Sequence, residues 1–195
     1  MRRQKIVRTT AETSIEMEFA VDGKGVTDIR TGIGFLDHML VLFASHGRFD
    51  LSVACDGDLH VDQHHTAEDV GIVLGQAFSA SIGMKKGIER YATVSTPMDE
   101  ALSTVSLDIS GRPFLVYNVE GLKEKVGDFD TELVEEFFIA FARHAGVTLH
   151  INVNYGKNSH HIIESIFKSF GRALRIASTI NPAIEGLVPS TKGIL

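Results

Sequence analysis

The sequence predicts an α+β fold that arose by internal duplication of a half-domain, with a mainly antiparallel sheet and helices on one face in each copy. The motif HHxxE begins at His64 and again at His160, a shift of 96 positions. Residues 42–46 resemble 140–144 with a shift of 98, and Glu12 corresponds to Glu100 with a shift of 88. Three matches in the same order predict a single domain over 1–195, built of two repeats (about 1–90 and about 91–186) and a tail at 187–195.

Each repeat is expected to contain, in order, a strand, a helix, a second strand and a longer helix. Alternating apolar and polar residues predict the strands, and apolar stripes at helical spacing predict the helices. The predicted elements span 15–21, 35–46, 49–54 and 64–82 in the first repeat, and 102–109, 131–144, 147–153 and 159–178 in the second. Asn158 or Ser159 is expected to cap the last helix.

The composition excludes several classes of protein. A formal net charge of −6 without a block of basic residues argues against nucleic acid as a partner. No apolar run approaches the roughly 20 residues that a membrane helix needs, and the basic N-terminus lacks the apolar stretch of a secretory signal. Cys55 is the only cysteine. We therefore expect a cytoplasmic protein without intrachain disulfides or contacts to membranes.

The paired histidine motifs indicate metal sites. On an α-helix, His64, His65 and Glu68 fall within about 100° of arc and share one face, opposite the apolar stripe of the same helix. The second copy offers the same three positions, at His160, His161 and Glu164. A single histidine pair at a helix start is more often a solvated surface feature, but a repeated one favours a site for Mn, Fe, Co, Ni or Zn.

The shorter helix of each repeat adds one further candidate ligand. His38 lies on the first of these helices, and its counterpart 98 positions later is Glu136. Eight candidate ligands suit two octahedral ions with open positions better than one ion. Because the ligand faces turn away from the core stripes, their missing partners must lie on the other half of the chain or on a neighbouring copy. We expect a homo-oligomer with metals at its contacts.

A second set of residues indicates a phosphate or another anionic substrate. Arg112 follows a glycine in the turn SGRP, Arg90 ends a basic segment, and the tail offers Ser190 and Lys192 beside Gly193. Guanidinium, ammonium and hydroxyl groups near free backbone N–H groups are what phosphate sites use. Each signal is weak alone. The sequence lacks a nucleotide-binding glycine motif and a GxSxG elbow, so nucleophilic catalysis is disfavoured.

The residues alone leave three functions open. One is an enzyme with two metal ions and an anionic substrate. A hydrolase or isomerase of another phosphorylated imidazole or sugar would share the same site. A metal-storage or metal-sensing assembly without catalysis would explain the histidines, but it would leave Arg112 and the tail without a task.

Seven motifs together resemble one family, imidazoleglycerol-phosphate dehydratase, almost from end to end. They are GFLDHM at 34–39, DQHHTAED at 62–69, PMDEA at 97–101, DISGRP at 108–113, TLH at 148–150, GKNSHH at 156–161 and PSTKG at 189–193. The resemblance implies a hydro-lyase of histidine biosynthesis that converts D-erythro-imidazole glycerol phosphate into imidazole acetol phosphate through a metal-bound imidazolate. It also implies two copies of a fold like the second domain of ribosomal protein S5, two Mn²⁺ per active site, and a homo-oligomeric 24-mer with active sites between subunits.

The resemblance also implies roles for individual residues. The implied metal ligands are His38, His64, His65, Glu68, Glu136, His160, His161 and Glu164. Glu136 departs from the histidine that many members carry at this position. The implied substrate-binding residues are Glu12, Arg90, Arg112, Ser190 and Lys192, the last two in the tail, and proton transfer is assigned to Glu12 and Glu164. Residues 40–42 are more apolar than in members that have a polar residue there.

Overall fold

Each half of the chain forms a four-stranded sheet with two helices in this computed structural model, which describes residues 2–195. The first half comprises β1 (Arg3–Thr9), β2 (Thr13–Ala20), β3 (Thr27–Arg30), α1 (Gly34–Gly47), β4 (Asp50–Gly57) and α2 (His64–Ile82). The second half comprises β5 (Tyr91–Met98), β6 (Ala101–Asp108), β7 (Phe114–Asn118), the hairpin β8 (Lys125–Val126) and β9 (Phe129–Asp130), α3 (Leu133–Ala145), β10 (Thr148–Tyr155) and α4 (Ser159–Ser178). A 3₁₀ turn, Pro182–Ile184, leads into the tail.

The two sheets have the same topology, which confirms the α+β fold and its duplication. Their strand orders are β1-β2-β4-β3 and β5-β6-β10-β7. In each sheet the first three strands pair antiparallel, and the last pair, β3 with β4 or β7 with β10, is parallel. The sheets are therefore mainly antiparallel, as predicted.

The predicted elements form because their apolar residues face the interior. In β2, Ile15, Met17 and Phe19 are buried while the residues between them face outward. Helix α4 begins where expected because the side chain of Asn158 accepts hydrogen bonds from the backbone N–H groups of the next turn. Strands β1, β3, β5 and β7 were not predicted. They lie at sheet edges and are largely exposed, so ladder hydrogen bonds stabilise them more than apolar burial does.

The helices of the two halves pack against each other between the sheets. Helix α1 contacts α4 and α2 contacts α3, while α2 covers β1 and β2, and α4 covers β5 and β6. Phenylalanine rings fill this interface: the Phe170 ring centroid lies 5.0 Å from that of Phe43 and 4.9 Å from that of Phe141. The two halves thus share one hydrophobic core, which is formed where α1 packs on α4 and α2 packs on α3. No helix in residues 2–195 is both long and apolar enough to cross a membrane.

Close helix packing at Gly75 gives a testable prediction of stability. A Cβ at this position of α2 would lie 2.8 Å from the carbonyl oxygen of Phe141 and 2.9 Å from the nitrogen of Ala145, and both are backbone atoms of α3 and its end. Gly75→Ala is therefore expected to lower the free energy of unfolding by about 1–3 kcal/mol in urea titrations, despite the better helix propensity of alanine. Gly34→Ala, at a position with open space around the new Cβ, is the control. Equal effects of the two substitutions would contradict the packing argument.

Candidate metal centre and anion site

Three candidate ligands from both halves converge where α1 meets the start of α4. Nε2 of His160 lies 3.2 Å from Oε2 of Glu164, and Nε2 of His38 lies 3.7 Å from the same oxygen. One ligand atom from each residue falls within 4.8 Å of the others. Two imidazole nitrogens and one carboxylate oxygen form a donor set that suits a borderline divalent ion. The three residues therefore fit the metal site that the sequence predicts.

Glu164 is held in its charged form although it is buried. Burial acts to raise its pKa, but a hydrogen bond and the positive charge of Lys168 outweigh this effect and hold the pKa below its usual value. Nζ of Lys168 lies 2.5 Å from Oε1 of Glu164, which leaves Oε2 facing the two histidines. A buried carboxylate oriented in this way can bind a cation without first losing a proton.

The second histidine of each motif points away from the first, contrary to the single shared face that the sequence analysis assumed. Nδ1 of His65 lies 3.0 Å from Asp58, and Nδ1 of His161 lies 2.7 Å from Glu100. Neighbouring helix residues differ by about 100° in direction, and these local carboxylates capture the second ring. His160 thus faces His38 of the opposite half, whereas His65 and His161 contact carboxylates of their own halves.

These contacts change the proton affinities of the second histidines. A hydrogen bond with Asp58 raises the pKa of His65, and one with Glu100 raises the pKa of His161. The same bond, with backbone N–H donors from the loop before α4, lowers the pKa of Glu100 to about 2. A carboxylate on Nδ1 fixes the imidazole orientation and directs Nε2 outward.

The corresponding cluster of α2 and α3 is less compact. His64, Glu68 and Glu136 occupy positions equivalent to those of the first cluster, because α2 packs on α3 as α4 packs on α1. Among residues 2–195, His38, His160 and Glu164 are the only group of such residues whose ligand atoms all lie within 4.8 Å of one another. Two carboxylates and one histidine repel each other more than the first set does, which is consistent with the wider spacing.

The candidate anion-binding residues meet at the opposite end of the second sheet. The guanidinium of Arg90 donates to both carboxylate oxygens of Asp108 at 2.7 and 3.1 Å, and its third contact is to the carbonyl of Pro189 at 2.8 Å. Arg112 lies 3.6 Å from Asp108 and is largely exposed. Arg90 therefore anchors the tail that carries Ser190 and Lys192 beside the Arg112 turn.

The metal cluster and the anion-binding residues are separated by the length of β6. This strand begins beside Glu100, which contacts His161, and it ends at Asp108, which contacts Arg90. Eight strand residues span about 24 Å. One copy of the chain therefore does not present both groups to one small molecule.

The lone cysteine is a poor nucleophile, in agreement with the sequence analysis. Burial of Cys55 on β4, with Asp69, Asp56 and Asp37 nearby, raises the pKa of the thiol to about 11. At pH 8 the thiolate fraction is expected to be roughly 100-fold below that of an unperturbed thiol. We expect iodoacetamide to label the native protein far more slowly than the protein unfolded in guanidinium, as followed by mass spectrometry. Equal labelling rates would contradict this prediction.

Three residues of these sites were missed in the sequence analysis. Lys168 lies one helical turn after Glu164, a spacing that predicts an ion pair. Asp108 lies two residues before the SGRP turn, but its contact with Arg90 joins segments that the sequence does not align. Asp58 lies in the loop before α2 and carried no recognisable signal.

The fold and the cluster of His38, His160 and Glu164 are those of a metal-dependent enzyme that acts on a small molecule. The chain belongs to the imidazoleglycerol-phosphate dehydratase family, whose model matches residues 31–174. It is accordingly a hydro-lyase, and it performs the dehydration step in histidine biosynthesis. The family assignment made from the seven motifs is confirmed.

Curated relatives and solved structures agree over nearly the whole chain. Imidazoleglycerol-phosphate dehydratases of Oceanobacillus iheyensis and Methylorubrum extorquens are 62% and 57% identical over 195 residues, covering all of both chains in each case. The crystal structure of the Staphylococcus aureus enzyme has a TM-score of 0.84 at 46% identity, covering 92% of this chain and 99% of that one. The Pyrococcus furiosus enzyme in complex with (S)-C348 has a TM-score of 0.84 at 38% identity, covering 97% and 100%.

Proposed function

We propose that the chain converts D-erythro-imidazole glycerol phosphate into imidazole acetol phosphate at an active site that holds two Mn²⁺ ions and is shared between subunits. The convergence of His38, His160 and Glu164 at one point is the observation that carries this proposal. We also propose that repeats 1–90 and 91–186 and the tail 187–195 act as one domain in the cytoplasm.

Two ligand sets follow from the pseudo-symmetry of the halves. His38, His160 and Glu164 would hold one ion, and the equivalent set would hold the other: His64, Glu68 and Glu136. His65 and His161 have Nδ1 against carboxylates, and their Nε2 atoms, which lie near Glu12 and Asp99, would bind ions held by neighbouring copies. Oxygen ligands suit Mn²⁺, and Glu136 adds one oxygen ligand in place of a nitrogen.

The chain supplies proton transfer through Glu12. When bound, the divalent ions would lower the pKa of a coordinated imidazole N–H and stabilise negative charge on the ring. Oε1 of Glu12 lies 3.7 Å from Nε2 of His65, and its side chain is half exposed at the β1–β2 turn. From there it can remove the C–H proton next to the carbon that loses hydroxyl. Glu164, held by Lys168 and facing two histidines, acts as a ligand rather than as the base.

The residues that would bind the phosphate lie at the end of the second sheet opposite the metal cluster. Arg112 is exposed, and the tail that carries Ser190 and Lys192 ends at Leu195 beside Gly111, the residue before Arg112. Arg90 already donates to Asp108 and to the tail carbonyl of Pro189, so it orders the tail and adds positive charge. Because a bound phosphate fixes the rest of the substrate, these residues turn binding energy into orientation of the reacting carbons.

Assembly follows from the separation of the two groups. A substrate far shorter than β6 cannot contact the metal cluster and the phosphate-binding residues of the same copy. The phosphate-binding residues of one copy must therefore complete an active site with the metal cluster of another copy. We propose a closed homo-oligomer, a 24-mer in its complete form, in which every metal cluster meets the tail of a neighbour.

A metal-reconstitution assay tests the reaction. Chelated protein is assayed for ketone formation from imidazole glycerol phosphate with and without added Mn²⁺, and with Zn²⁺ or Mg²⁺ as comparison ions. The proposal is supported if activity returns with Mn²⁺ and the protein binds two Mn²⁺ ions per active site. Full binding of Mn²⁺ without product would overturn it and favour a storage or sensing protein.

A subunit-mixing assay tests whether the site is shared. His160→Ala and Arg112→Ala proteins are each expected to be nearly inactive, and they are dissociated, mixed in equal amounts and reassembled. If the groups come from different copies, roughly a quarter of the sites in random hybrids contain both intact groups and activity returns. A mixture that stays as inactive as its components would show that each chain uses its own residues.

A further inference from the structure

Lys85 occupies a strained and half-buried position beside the proposed phosphate site. It lies in the turn between α2 and β5, with a backbone φ of +55° that non-glycine residues seldom adopt. A residue held in this region costs free energy that the surrounding structure must offset, and such residues cluster at ligand sites. The Lys85 side chain is only partly exposed to solvent.

The ammonium group of Lys85 points to the Arg112 turn. Its Nζ lies 3.4 Å from the place that a Cβ on Gly111 would occupy, and the end of the tail at Leu195 lies against the same place. Gly111 has a φ of +74° and leaves this space open. Lys85 thus adjoins both segments that carry the proposed phosphate-binding residues.

Among residues 2–195, no Asp or Glu side chain forms an ion pair with the Lys85 cation, and the main-chain carbonyl of Leu195 lies against the same place beside Gly111. The nearby carboxylate of Asp108 is already shared by Arg90 and Arg112. Burial lowers the pKa of Lys85, the charge of Asp108 opposes this, and that of Arg90 adds to it. A half-buried ammonium close to the positive charge of Arg90 becomes more favourable when an anion joins them.

We propose that Lys85 binds the substrate phosphate together with Arg112, Ser190 and Lys192. This inference rests on the proposed function, because it adds a residue to the phosphate site proposed there. A compact ammonium contributes a point charge that complements the planar guanidinium of Arg112. Its fixed backbone holds this charge in place before substrate arrives.

The test compares Lys85→Met with Lys86→Met. Methionine keeps the length of the side chain and removes its charge, and the neighbouring Lys86 is exposed, which makes it the matched control. The KM for substrate and the inhibition constant of inorganic phosphate are measured in the Mn²⁺-loaded enzyme. Both are expected to rise about 10- to 100-fold in Lys85→Met, with kcat little changed, because a hydrogen bond to a charged group is lost. Lys85→Arg should retain most of the affinity, and Lys86→Met should match the unmodified chain.

Three outcomes separate this inference from the function on which it rests. If Arg112→Ala raises both constants while Lys85→Met changes neither, the role of Lys85 is overturned and the phosphate site stands. If Arg112→Ala changes neither constant, the proposed phosphate site itself fails. A loss of thermal stability in Lys85→Met with an unchanged inhibition constant for phosphate would make Lys85 structural and overturn the inference.

Discussion

His160→Ala is expected to lower the dehydration rate by about 10³-fold and to remove roughly one of the two bound ions per site. A metal ion contributes several kcal/mol of stabilisation to a developing charge, which corresponds to a rate factor of this size. Among residues 2–195, His160 supplies one of the three donor atoms that converge at the α1–α4 contact. Without it, His38 and Glu164 remain as an incomplete set. The measurements are ketone formation under saturating substrate and the Mn²⁺ content after gel filtration.

His150→Ala is the control for this experiment. His150 is exposed on β10 and lies apart from the metal cluster, so both activity and metal content should match those of the unmodified chain. Since His160 packs near the rings of Phe35 and His38, unfolding in urea should be measured in parallel. Full metal content and full activity in a folded His160→Ala protein would contradict the assignment of this cluster.

Glu12→Gln is expected to lower kcat by about 10²- to 10⁴-fold while leaving metal content and KM nearly unchanged. General acid–base groups contribute factors of this size, and an effect on kcat alone indicates a group that acts in the transition state. Glutamine keeps the shape of the side chain, so the turn at Thr10 and Thr13 should persist. The measurement is a full rate–concentration curve in the Mn²⁺-loaded enzyme.

Glu16→Gln provides the matched comparison. Glu16 is an exposed residue of β2, the strand that follows Glu12 directly. It forms an ion pair with Lys5 of β1. Surface pairs of this kind contribute little, so kcat should not change. If Glu12→Gln instead raised KM and lost metal with kcat intact, Glu12 would be a binding residue and the base would have to be sought elsewhere.

The sequence could predict most of the buried elements and three of the side chains that converge, His38, His160 and Glu164. Periodicity located α2 and α4 at their observed ends because each has a continuous apolar face. The duplication aligned His38 with Glu136 and thereby indicated a further ligand in each half. The repeat pattern could not show that His65 and His161 point away from the first histidine of each motif. Their directions depend on Asp58 and Glu100, which lie outside the helices that carry them.

The amino-acid sequence by itself determined the duplicated α+β fold, the family, and the kinds of group that the sites offer, because these follow from local periodicity and repeated motifs. The tertiary structure decided which groups meet. Packing of α1 on α4 brings His38 to Glu164, and the span of β6 keeps Arg90 far from both. Contacts between distant segments arise from the packing of whole helices and strands, and no local pattern in the chain encodes them.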